Sequence, residues 1–478
     1  MTGADDINLT VLVPEISLAL AAVLGLLLAS WIPRRRQWIV RAMAWCSVIV
    51  GTTATVFSLL GRNSVTASGS YTIDTSLNAV RVAVLAGAAI VIALGADRIA
   101  GDEREAEFYV LVLLGSLGTI VLAGASDLLL LLAGYLLASI PLYALVGFAK
   151  DRSGTEAMLK YYLMGALFGV FLLFGVLLML ATGGDTVYTE LAKSLPHGPM
   201  AATAVGILGV TAGLLFKAGA VPAHFWVPDA IDGATTPVAA FISTVPKIGA
   251  LVALFRLATV AWPGLPLNLS LIFAILAAMT MTLGNLAAFF QTRVRRLLAY
   301  STISQVGYLL MILAAVGRSS LALPSLLFYL LGYTVTNLGA FAVVSAFPSY
   351  TTLSDYTGLF RKHPWLAGSL IILLLGLVGT PPTAVFLGKL TAFTAAFGAN
   401  LGWLVVLAAA NTVASVFYYL RWVFPLFQSL SSTMDRASES PRTRVAVPRV
   451  SAGLAIGLAV LSLALGLGAN PVLQLLER

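Results

Sequence analysis

The sequence predicts an all-α polytopic membrane protein, and three observations carry that prediction. Of the 478 residues, 59% are hydrophobic and only 10% are charged, which excludes a soluble globular protein. The apolar residues form continuous runs as long as a membrane-spanning helix, whereas barrel strands would form short alternating segments. The basic residues collect in short loops on one side of these runs, so the net charge of +8 indicates membrane topology rather than nucleic-acid binding.

The apolar runs predict about fourteen spans at ~20 residues each. Their centres are expected near Leu20, Ile49, Leu85, Leu117, Ala138, Gly169, Leu208, Val245, Ala277, Leu309, Gly332, Val378, Leu407 and Val460. The connections between the runs are too short to contain a soluble domain.

The basic residues of the loops predict the orientation, because cytoplasmic loops carry the excess of lysine and arginine. The larger set is Arg34, Arg35, Arg36, Arg98, Arg104, Lys150, Arg152, Arg293, Arg295, Arg296, Arg361, Lys362, Arg436, Arg442, Arg444 and Arg449. The smaller set, on the opposite side, is Arg62, Lys193, Arg318 and Arg478. The larger set is therefore expected to be cytoplasmic, with both termini facing outward.

Prolines interrupt two of the predicted spans. Pro222 lies in the seventh, and Pro381 and Pro382 lie in the twelfth. A proline lacks an N–H and leaves a carbonyl unpaired, which lipid does not tolerate unless protein or water satisfies it. Interrupted spans at corresponding places in two halves indicate repeats with ion sites near the midplane of the membrane.

The interrupted spans lie five helices apart, and this odd offset inverts the second repeat relative to the first. The predicted organisation comprises two inverted five-helix repeats with discontinuous helices 7 and 12. The expected segments are residues 1–105 with helices 1 to 3, residues 106–262 and 263–430 with the two repeats, and residues 431–478 with a basic loop and helix 14.

Three lysines, Lys217, Lys247 and Lys389, lie about two or more turns from any predicted span end. A charged lysine in hydrocarbon costs at least ~2.5–3.5 kcal/mol, so its presence indicates function. Of the acidic residues, only Glu15 and Asp127 are expected to enter the hydrocarbon, which is too few for three static ion pairs. Because burial favours the neutral amine and a nearby anion favours the ammonium, these lysines are predicted to bind and release protons.

His224 and Lys160 are further candidates for proton transfer. His224 follows Pro222 by two residues, and it could relay protons or satisfy a hydrogen bond at the interrupted helix. Lys160 lies about a turn inside the sixth span, four residues after Glu156. That spacing also permits an ordinary ion pair on the face of a helix.

The remaining basic residues within spans lie nearer to span ends. Arg41, Arg256 and Arg421 are expected to extend toward the headgroups, with their alkyl stems in the apolar region. Arg81 lies one or two turns inside the third span, where both extension to the headgroups and a functional role are compatible with the sequence.

Four motifs carry a resemblance to a known family: LLFKAGAVPAHFWVPDAIDGATTPVAAFISTVPKIGA, RRLLAYSTISQVGYLL, GTPPTAVFLGKL and VPEISLAL. They resemble the proton-channel, antiporter-like subunits of respiratory complex I, over roughly residues 127–422. The last motif is similar to the opening of subunit N of bacterial NADH–quinone oxidoreductase rather than to that of its longer relatives.

The resemblance implies a membrane-arm subunit of a proton-translocating NADH–quinone oxidoreductase in the bacterial plasma membrane. It also implies channel lysines at Lys217, Lys247 and Lys389. NADH, FMN, iron–sulfur clusters and quinone are then expected on partner subunits, with no redox site or cofactor in this chain. The implied partners are the other membrane-arm and peripheral subunits and the lipid bilayer, and no nucleic acid.

The sequence departs from the family pattern at two positions. The family has a glutamate in helix 5 as the partner of the helix-7 lysine, whereas GYLLASIPL has Leu136 at that place. Gln305 stands where the family often has histidine. Lys217 is therefore expected to be neutral for more of the time, unless Glu156 or a neighbouring subunit supplies an anion.

Two other interpretations use the same residues. One is a subunit of a multi-subunit cation/proton antiporter or of a membrane-bound hydrogenase, which would share the lysine-bearing helices. The other is a scaffold subunit that keeps the fold but conducts no protons, which the replacement at Leu136 favours and the three buried lysines oppose.

Overall fold

The computed structural model describes residues 9–61, 64–67, 69–429 and 447–477. Strands β1 (Ser64–Thr66) and β2 (Tyr71–Ile73) form one antiparallel hairpin. The helices are α1 (Val13–Trp31), α2 (Trp38–Leu59), α3 (Thr75–Ile99), α4 (Glu105–Gly124), α5 (Leu128–Leu137), α6 (Ile140–Val146), α7 (Arg152–Gly183), α8 (Tyr188–Ser194), α9 (Met200–Ala218), α10 (Trp226–Gly233), α11 (Thr236–Arg256), α12 (Leu269–Phe289), α13 (Val294–Ala314), α14 (Ala322–Ala346), α15 (Leu359–Lys362), α16 (Pro364–Val378), α17 (Ala384–Gly398), α18 (Gly402–Phe427), α19 (Arg449–Leu467) and α20 (Ala469–Leu476).

The helices confirm an all-α membrane protein. Within the described ranges, 13 helical stretches are long and apolar enough to cross a membrane. The shorter apolar helices α16 and α17 flank the prolines of the predicted twelfth span, and together they account for one further span. The total agrees with the prediction of about fourteen, which came from the length of the apolar runs.

Burial separates central helices from peripheral ones. All residues of α11 are buried, and α13 and α14 are almost completely buried. In contrast, α2, α7 and α18 expose rows of large apolar side chains, as expected of helices that contact lipid. The central group α11, α13 and α14 therefore provides the interior in which polar side chains can be shielded from lipid.

Small residues allow several helix pairs to pack with their backbones in close contact, as is common in membrane proteins. A Cβ on Gly118 of α4 would lie 2.2 Å from the backbone nitrogen of Ala138, at the end of α5. A Cβ on Gly307 of α13 would lie 2.4 Å from the backbone nitrogen of Met281 in α12. The pairs α4/α5 and α12/α13 are helices 4/5 and 9/10 of the proposed repeats, so this similarity supports the repeats, which stay a prediction.

Two of the discontinuities agree with the sequence prediction. Helix α9 ends at Ala218, and α10 begins only at Trp226, with Pro222 between them. Helix α16 ends at Val378 and α17 begins at Ala384, on either side of the two consecutive prolines. Both α9 and α16 end in a glycine with positive φ, of +78° at Gly219 and +90° at Gly379, the usual way of closing a helix C-terminus.

A third discontinuity, between α5 and α6, was not predicted. Helix α5 ends at Leu137 and α6 begins at Ile140. The available signal was Pro141, which occupies the first turn of α6, a position that proline favours because the missing N–H has no helical acceptor there.

The four predicted segments stay a prediction. The basic loop assigned to the last segment lies largely outside the described residues, as do Arg436, Arg442 and Arg444. Arg62 and Arg478, which were counted on the opposite side of the membrane, also lie outside them.

Candidate functional site

Lys217 is fully buried near the C-terminus of α9, facing the discontinuity between α5 and α6. Its Nζ donates to the carbonyl oxygen of Ala138 at 2.5 Å and to the hydroxyl of Ser139 at 2.7 Å. The ring of Tyr135 lies 5.6 Å from the same nitrogen. Because the interruption of the helix frees the Ala138 carbonyl, the discontinuity that was not predicted supplies the partner of this lysine.

Lys247 on α11 faces the end of α9 in the same way. Its Nζ donates to the carbonyl oxygen of Ala218, the last residue of α9, at 2.9 Å. The Trp226 ring lies 5.6 Å from it. A Cβ on Gly219 would lie 3.0 Å from Lys247 Nζ, so the glycine that closes α9 also leaves room for the ammonium group.

Lys389 repeats this arrangement at the discontinuity between α16 and α17. Its Nζ donates to the carbonyl oxygen of Val378, the last residue of α16, at 2.8 Å, and lies 4.1 Å from the centre of the Tyr308 ring. A Cβ on Gly379 would lie 2.9 Å from Lys389 Cδ. All three predicted lysines therefore bind the free carbonyl at the C-terminal end of an interrupted helix.

The groups that bind these lysines are carbonyl oxygens, one hydroxyl and aromatic rings. None of them gains or loses a proton in the pH range in which a carboxylate does. The C-terminus of a helix carries about half a negative charge, and an aromatic face attracts a cation weakly. None of the ion pairs among the described residues includes Lys217, Lys247 or Lys389. Static ion pairs with the acidic residues that the structure describes therefore do not explain the buried lysines.

A line of hydrogen-bonded polar side chains begins one turn before Lys247. Ser243 and Thr244 on α11 accept from Asn337 Nδ2 of α14, at 3.0 Å and 2.8 Å. Tyr333, also on α14, donates to the carbonyl of Ser243 at 3.0 Å. Its hydroxyl lies 3.0 Å from the hydroxyl of Thr302 on α13, so the line connects all three central helices.

The line continues to the discontinuity that holds Lys389. Gln305 lies three residues after Thr302, on the same face of α13. Gln305 Nε2 donates to the carbonyl of Leu377 at 2.7 Å, and Gln305 Oε1 accepts from the Tyr329 hydroxyl at 2.6 Å. Leu377 immediately precedes Val378, whose carbonyl binds Lys389. Apart from Gln305, these polar residues were not singled out from the sequence, where they appear only as isolated polar letters in apolar runs.

His224 lies in the same interrupted segment as Pro222, as its position in the sequence requires. The residue is buried, and its ring stacks obliquely on Phe225 at 4.5 Å. Its Nδ1 is enclosed and has no hydrogen-bond partner among the described residues. The histidine is therefore near the α9 discontinuity, and its role in a relay stays a prediction.

Lys160 lies at the surface, separate from the three buried lysines. Its side chain is 50% exposed, and its Nζ lies 2.8 Å from Glu156 and 3.0 Å from Asp229. The ion pair permitted by the i,i+4 spacing is thus formed, and a second carboxylate joins it. Because Glu156 binds Lys160 at the surface, the expectation that Glu156 could replace the missing anion of Lys217 is wrong.

Known proteins match the part of the sequence that contains the three buried lysines. The family described as "NADH:quinone oxidoreductase/Mrp antiporter, TM" matches residues 125–416. NADH-quinone oxidoreductase subunit N 1 of Streptomyces griseus subsp. griseus is 51% identical over 465 residues, covering 97% of each chain. Subunit N of Mycobacterium sp. (strain JLS) is 49% identical over 460 residues, covering 95% of each. The chain belongs to the family of NADH-quinone oxidoreductase N subunits.

Solved structures agree with membership of the N-subunit family. A chain of respiratory complex I from Thermus thermophilus with bound aureothin superposes with a TM-score of 0.81 at 32% identity, covering 96% of this chain and 98% of that one. A chain of the Mrp complex from Dietzia sp. DQ12-45-1b gives 0.84 at 21% identity, covering 98% and 97%, which shows a shared fold. As an N-family member, the chain is a membrane-embedded subunit of a multi-subunit assembly.

Leu136, the helix-5 residue at which this chain departs from the family pattern, faces outward. The Leu136 side chain is 44% exposed at the surface of α5, whereas the adjacent Tyr135 is buried and faces Lys217. The side chain of a glutamate at this position would begin at the outer surface of the chain. Its surroundings would therefore include lipid or a neighbouring subunit.

The Pro-Glu opening of this N-family chain contributes a buried ion pair that was not predicted. Glu15 of α1 binds Arg81 of α3 through both carboxylate oxygens at 2.8 Å. Arg81 is fully buried, and it also donates to Asn78 and to the carbonyl of Val11, each at 3.0 Å. The Tyr71 hydroxyl donates to Glu15 at 2.7 Å. Neither charge is available to the three lysines.

The expectation that Arg256 extends to the headgroups is wrong. Only 8% of Arg256 is exposed. Its Nη1 lies 3.0 Å from an oxygen of Asp74, and its Nε donates to the carbonyl of Ala123 at 3.2 Å. An aspartate at the start of α3 pairs with the arginine inside the protein, and this partner, distant in sequence, outweighs the preference of a free arginine for the interface.

Proposed function

We propose that this chain relays protons as a membrane-arm subunit of a complex I-type NADH–quinone oxidoreductase in the bacterial plasma membrane. The supporting observation is the set of three buried lysines. Each binds the C-terminal carbonyl of an interrupted helix, and none pairs with a carboxylate in the part of the chain that the structure describes. A lysine in such surroundings can exist with or without its proton, because neither state leaves a permanent counter-ion uncompensated.

The relay runs along the membrane plane from Lys217 through Lys247 to Lys389. Burial favours the neutral amine, while the partial charge of each helix C-terminus favours the ammonium. A charge arriving at one lysine repels the proton on the next. The hydroxyls of Ser243, Thr302 and Tyr333, together with water, can transfer the proton between Lys247 and Lys389 because a hydroxyl both donates and accepts hydrogen bonds.

The remaining assignments belong to the same proposal. Redox chemistry takes place on partner subunits, which bind NADH, FMN, iron–sulfur clusters and quinone, and this chain contributes proton transfer alone. Both termini face outward, and helices 4 to 8 and 9 to 13 form two inverted repeats. His224 and Lys160 are assigned to the paths by which protons reach or leave the relay, rather than to the three central lysine positions.

The test is proton translocation by the assembled complex in inverted membrane vesicles. With Lys389→Ala we expect fewer protons per electron pair, because the last carrier of the line is missing. Lys193→Ala is the matched control, since Lys193 is an exposed lysine that pairs with Glu190 at 2.8 Å. The proposal is wrong if both variants translocate as many protons per electron pair as the wild type.

Leu136→Glu tests whether the missing glutamate limits this chain. The new carboxylate would lie two residues before the Ala138 carbonyl that binds Lys217. Because Leu136 faces outward, the carboxylate would not touch Lys217, but a charge about 10 Å away still contributes ~1.7 kcal/mol at an effective dielectric of about 20. The charged form of Lys217 is therefore favoured. We expect more protons translocated per electron pair in vesicles.

Leu129→Glu is the matched control for this substitution. Leu129 lies on the same face of α5 and is also exposed, but it is seven residues, ~10 Å, further along the helix. An increase with both variants, or with neither, would show that the helix-5 position does not limit proton transfer through Lys217.

A further inference from the structure

A cavity of about 560 Å³ lies where the loops after α12 and α14 meet the last turns of α18. Its loop side carries hydroxyl groups, from Thr292, Thr352, Ser354 and Thr357, and its helix side carries Phe417, Phe424 and Arg421. The cavity therefore combines hydrogen-bond donors, one cation and a large apolar wall. It is separate from the three buried lysines and takes no part in the proposed relay.

Arg421 is the positive charge of this cavity. It is exposed, and it lies six residues before the end of α18 at Phe427, which is ~9 Å along the helix. One guanidinium nitrogen donates to the carbonyl of Phe289, the last residue of α12, which fixes the side chain at the cavity. Its other donors have no partner among the described residues.

The carboxylate of Asp355, in the loop that lines the cavity, is already occupied. Asp355 Oδ2 accepts from the backbone N–H groups of Thr351 and Thr352, at 2.9 Å and 2.8 Å, and from the Thr352 hydroxyl at 2.9 Å. These bonds hold the carboxylate against its own turn. Arg421 is therefore the one charged residue among the described residues that line the cavity, and its charge favours an anionic occupant.

The apolar wall belongs to the exposed surface of α18. Phe417 and Phe424 are 61% and 68% exposed. They lie four residues before and three residues after Arg421, and so on the same face of the helix. An occupant of the cavity thus binds a cation and hydroxyl groups at one end and continues along exposed aromatic rings in the membrane.

We propose that this cavity binds the headgroup of an anionic phospholipid. The phosphodiester accepts from the free donors of Arg421 and from the hydroxyl of Thr292, and the acyl chains lie along Phe417 and Phe424. A guanidinium binds phosphate oxygens in a fork geometry, and the hydroxyl group adds a neutral donor. A free phosphate would use the polar end only and would leave the aromatic wall without a partner.

The test uses the whole complex, transferred to nanodiscs of phosphatidylcholine that contain phosphatidylglycerol as the minority lipid. Phosphatidylglycerol that stays bound after delipidating washes is measured by mass spectrometry. We expect Arg421→Gln to bind it roughly tenfold more weakly, because hydrogen bonds to a charged group are lost. Arg421→Lys is expected to retain part of the binding.

The control variants distinguish the effect of the Arg421 charge from the effect of the cavity itself. Arg35→Gln removes an exposed arginine of the same predicted side and should leave the bound phosphatidylglycerol unchanged. Ser354→Phe keeps Arg421 but fills the cavity, and it should also release the lipid. Equal retention by wild type and Arg421→Gln, or full retention by Ser354→Phe, overturns the proposal. So does the loss of a neighbouring subunit from Arg421→Gln without loss of lipid, since the occupant would then be a protein.

Discussion

Replacement of Lys247 by alanine is expected to remove the contribution of this chain to proton translocation while the complex still assembles. In the proposed relay Lys247 is the middle carrier, and it is bound to the end of α9 and adjacent to the polar line that leads to Lys389. Without its amine, no lysine remains between the two outer ones, since the described part of the polar line leading to Lys389 consists of hydroxyl and amide groups. The measurement is the number of protons translocated per electron pair in inverted vesicles, with assembly checked by native gel electrophoresis.

Lys247→Arg distinguishes a proton carrier from a fixed positive charge. Arginine keeps the charge but does not release its proton under physiological conditions. We therefore expect Lys247→Arg to translocate as poorly as Lys247→Ala. Normal translocation by Lys247→Arg would show that charge alone suffices, and normal translocation by both variants would favour the scaffold interpretation.

Replacement of Glu15 by alanine is expected to destabilise the protein by about 3–5 kcal/mol, because it leaves a fully buried arginine without its anion. The change also removes the acceptor of the Tyr71 hydroxyl. This is a large share of the 5–15 kcal/mol by which folded domains are usually stable. The expected result is a strong decrease in the amount of assembled complex in membranes and a lower unfolding temperature of what remains.

The double substitution of Glu15 and Arg81 by leucine is the control. Replacing both partners of a buried pair by apolar residues is often neutral, whereas removing one is costly. We expect the double variant to recover most of the assembly lost with Glu15→Ala. If the double variant is as unstable as the single one, the loss comes from packing around α1 rather than from the unpaired charge.

The features that depend on local sequence were predictable. A proline within an apolar run marks a candidate interruption of a helix, and Pro222 and Pro381 both mark such places, whereas α11 continues through Pro246. A lysine far from any span end must be buried in a membrane protein, which identified Lys217, Lys247 and Lys389. Both signals are readable from a single segment of about twenty residues.

The features that depend on pairing between distant segments were not predictable. Glu15 and Arg81 are 66 positions apart, and nothing in either segment indicates its partner. The same holds for Arg256 and Asp74, which are 182 positions apart. Arg256 is buried against Asp74, whereas the sequence predicted that it extends to the headgroups. The polar line also escaped prediction because it exists only once three central helices are packed together.

The carbonyl partners of the three lysines limit the number of protons that the lysine sites can hold. A carboxylate beside a lysine is a second place for a proton, and a pair of that kind can exchange its proton internally without net transport. A peptide oxygen has no such capacity near neutral pH, so each of these stations holds one proton or none. In the proposed relay, the chain thus has three positions that are each protonated or neutral, and a proton can leave one of them only through water, a hydroxyl group or the next amine.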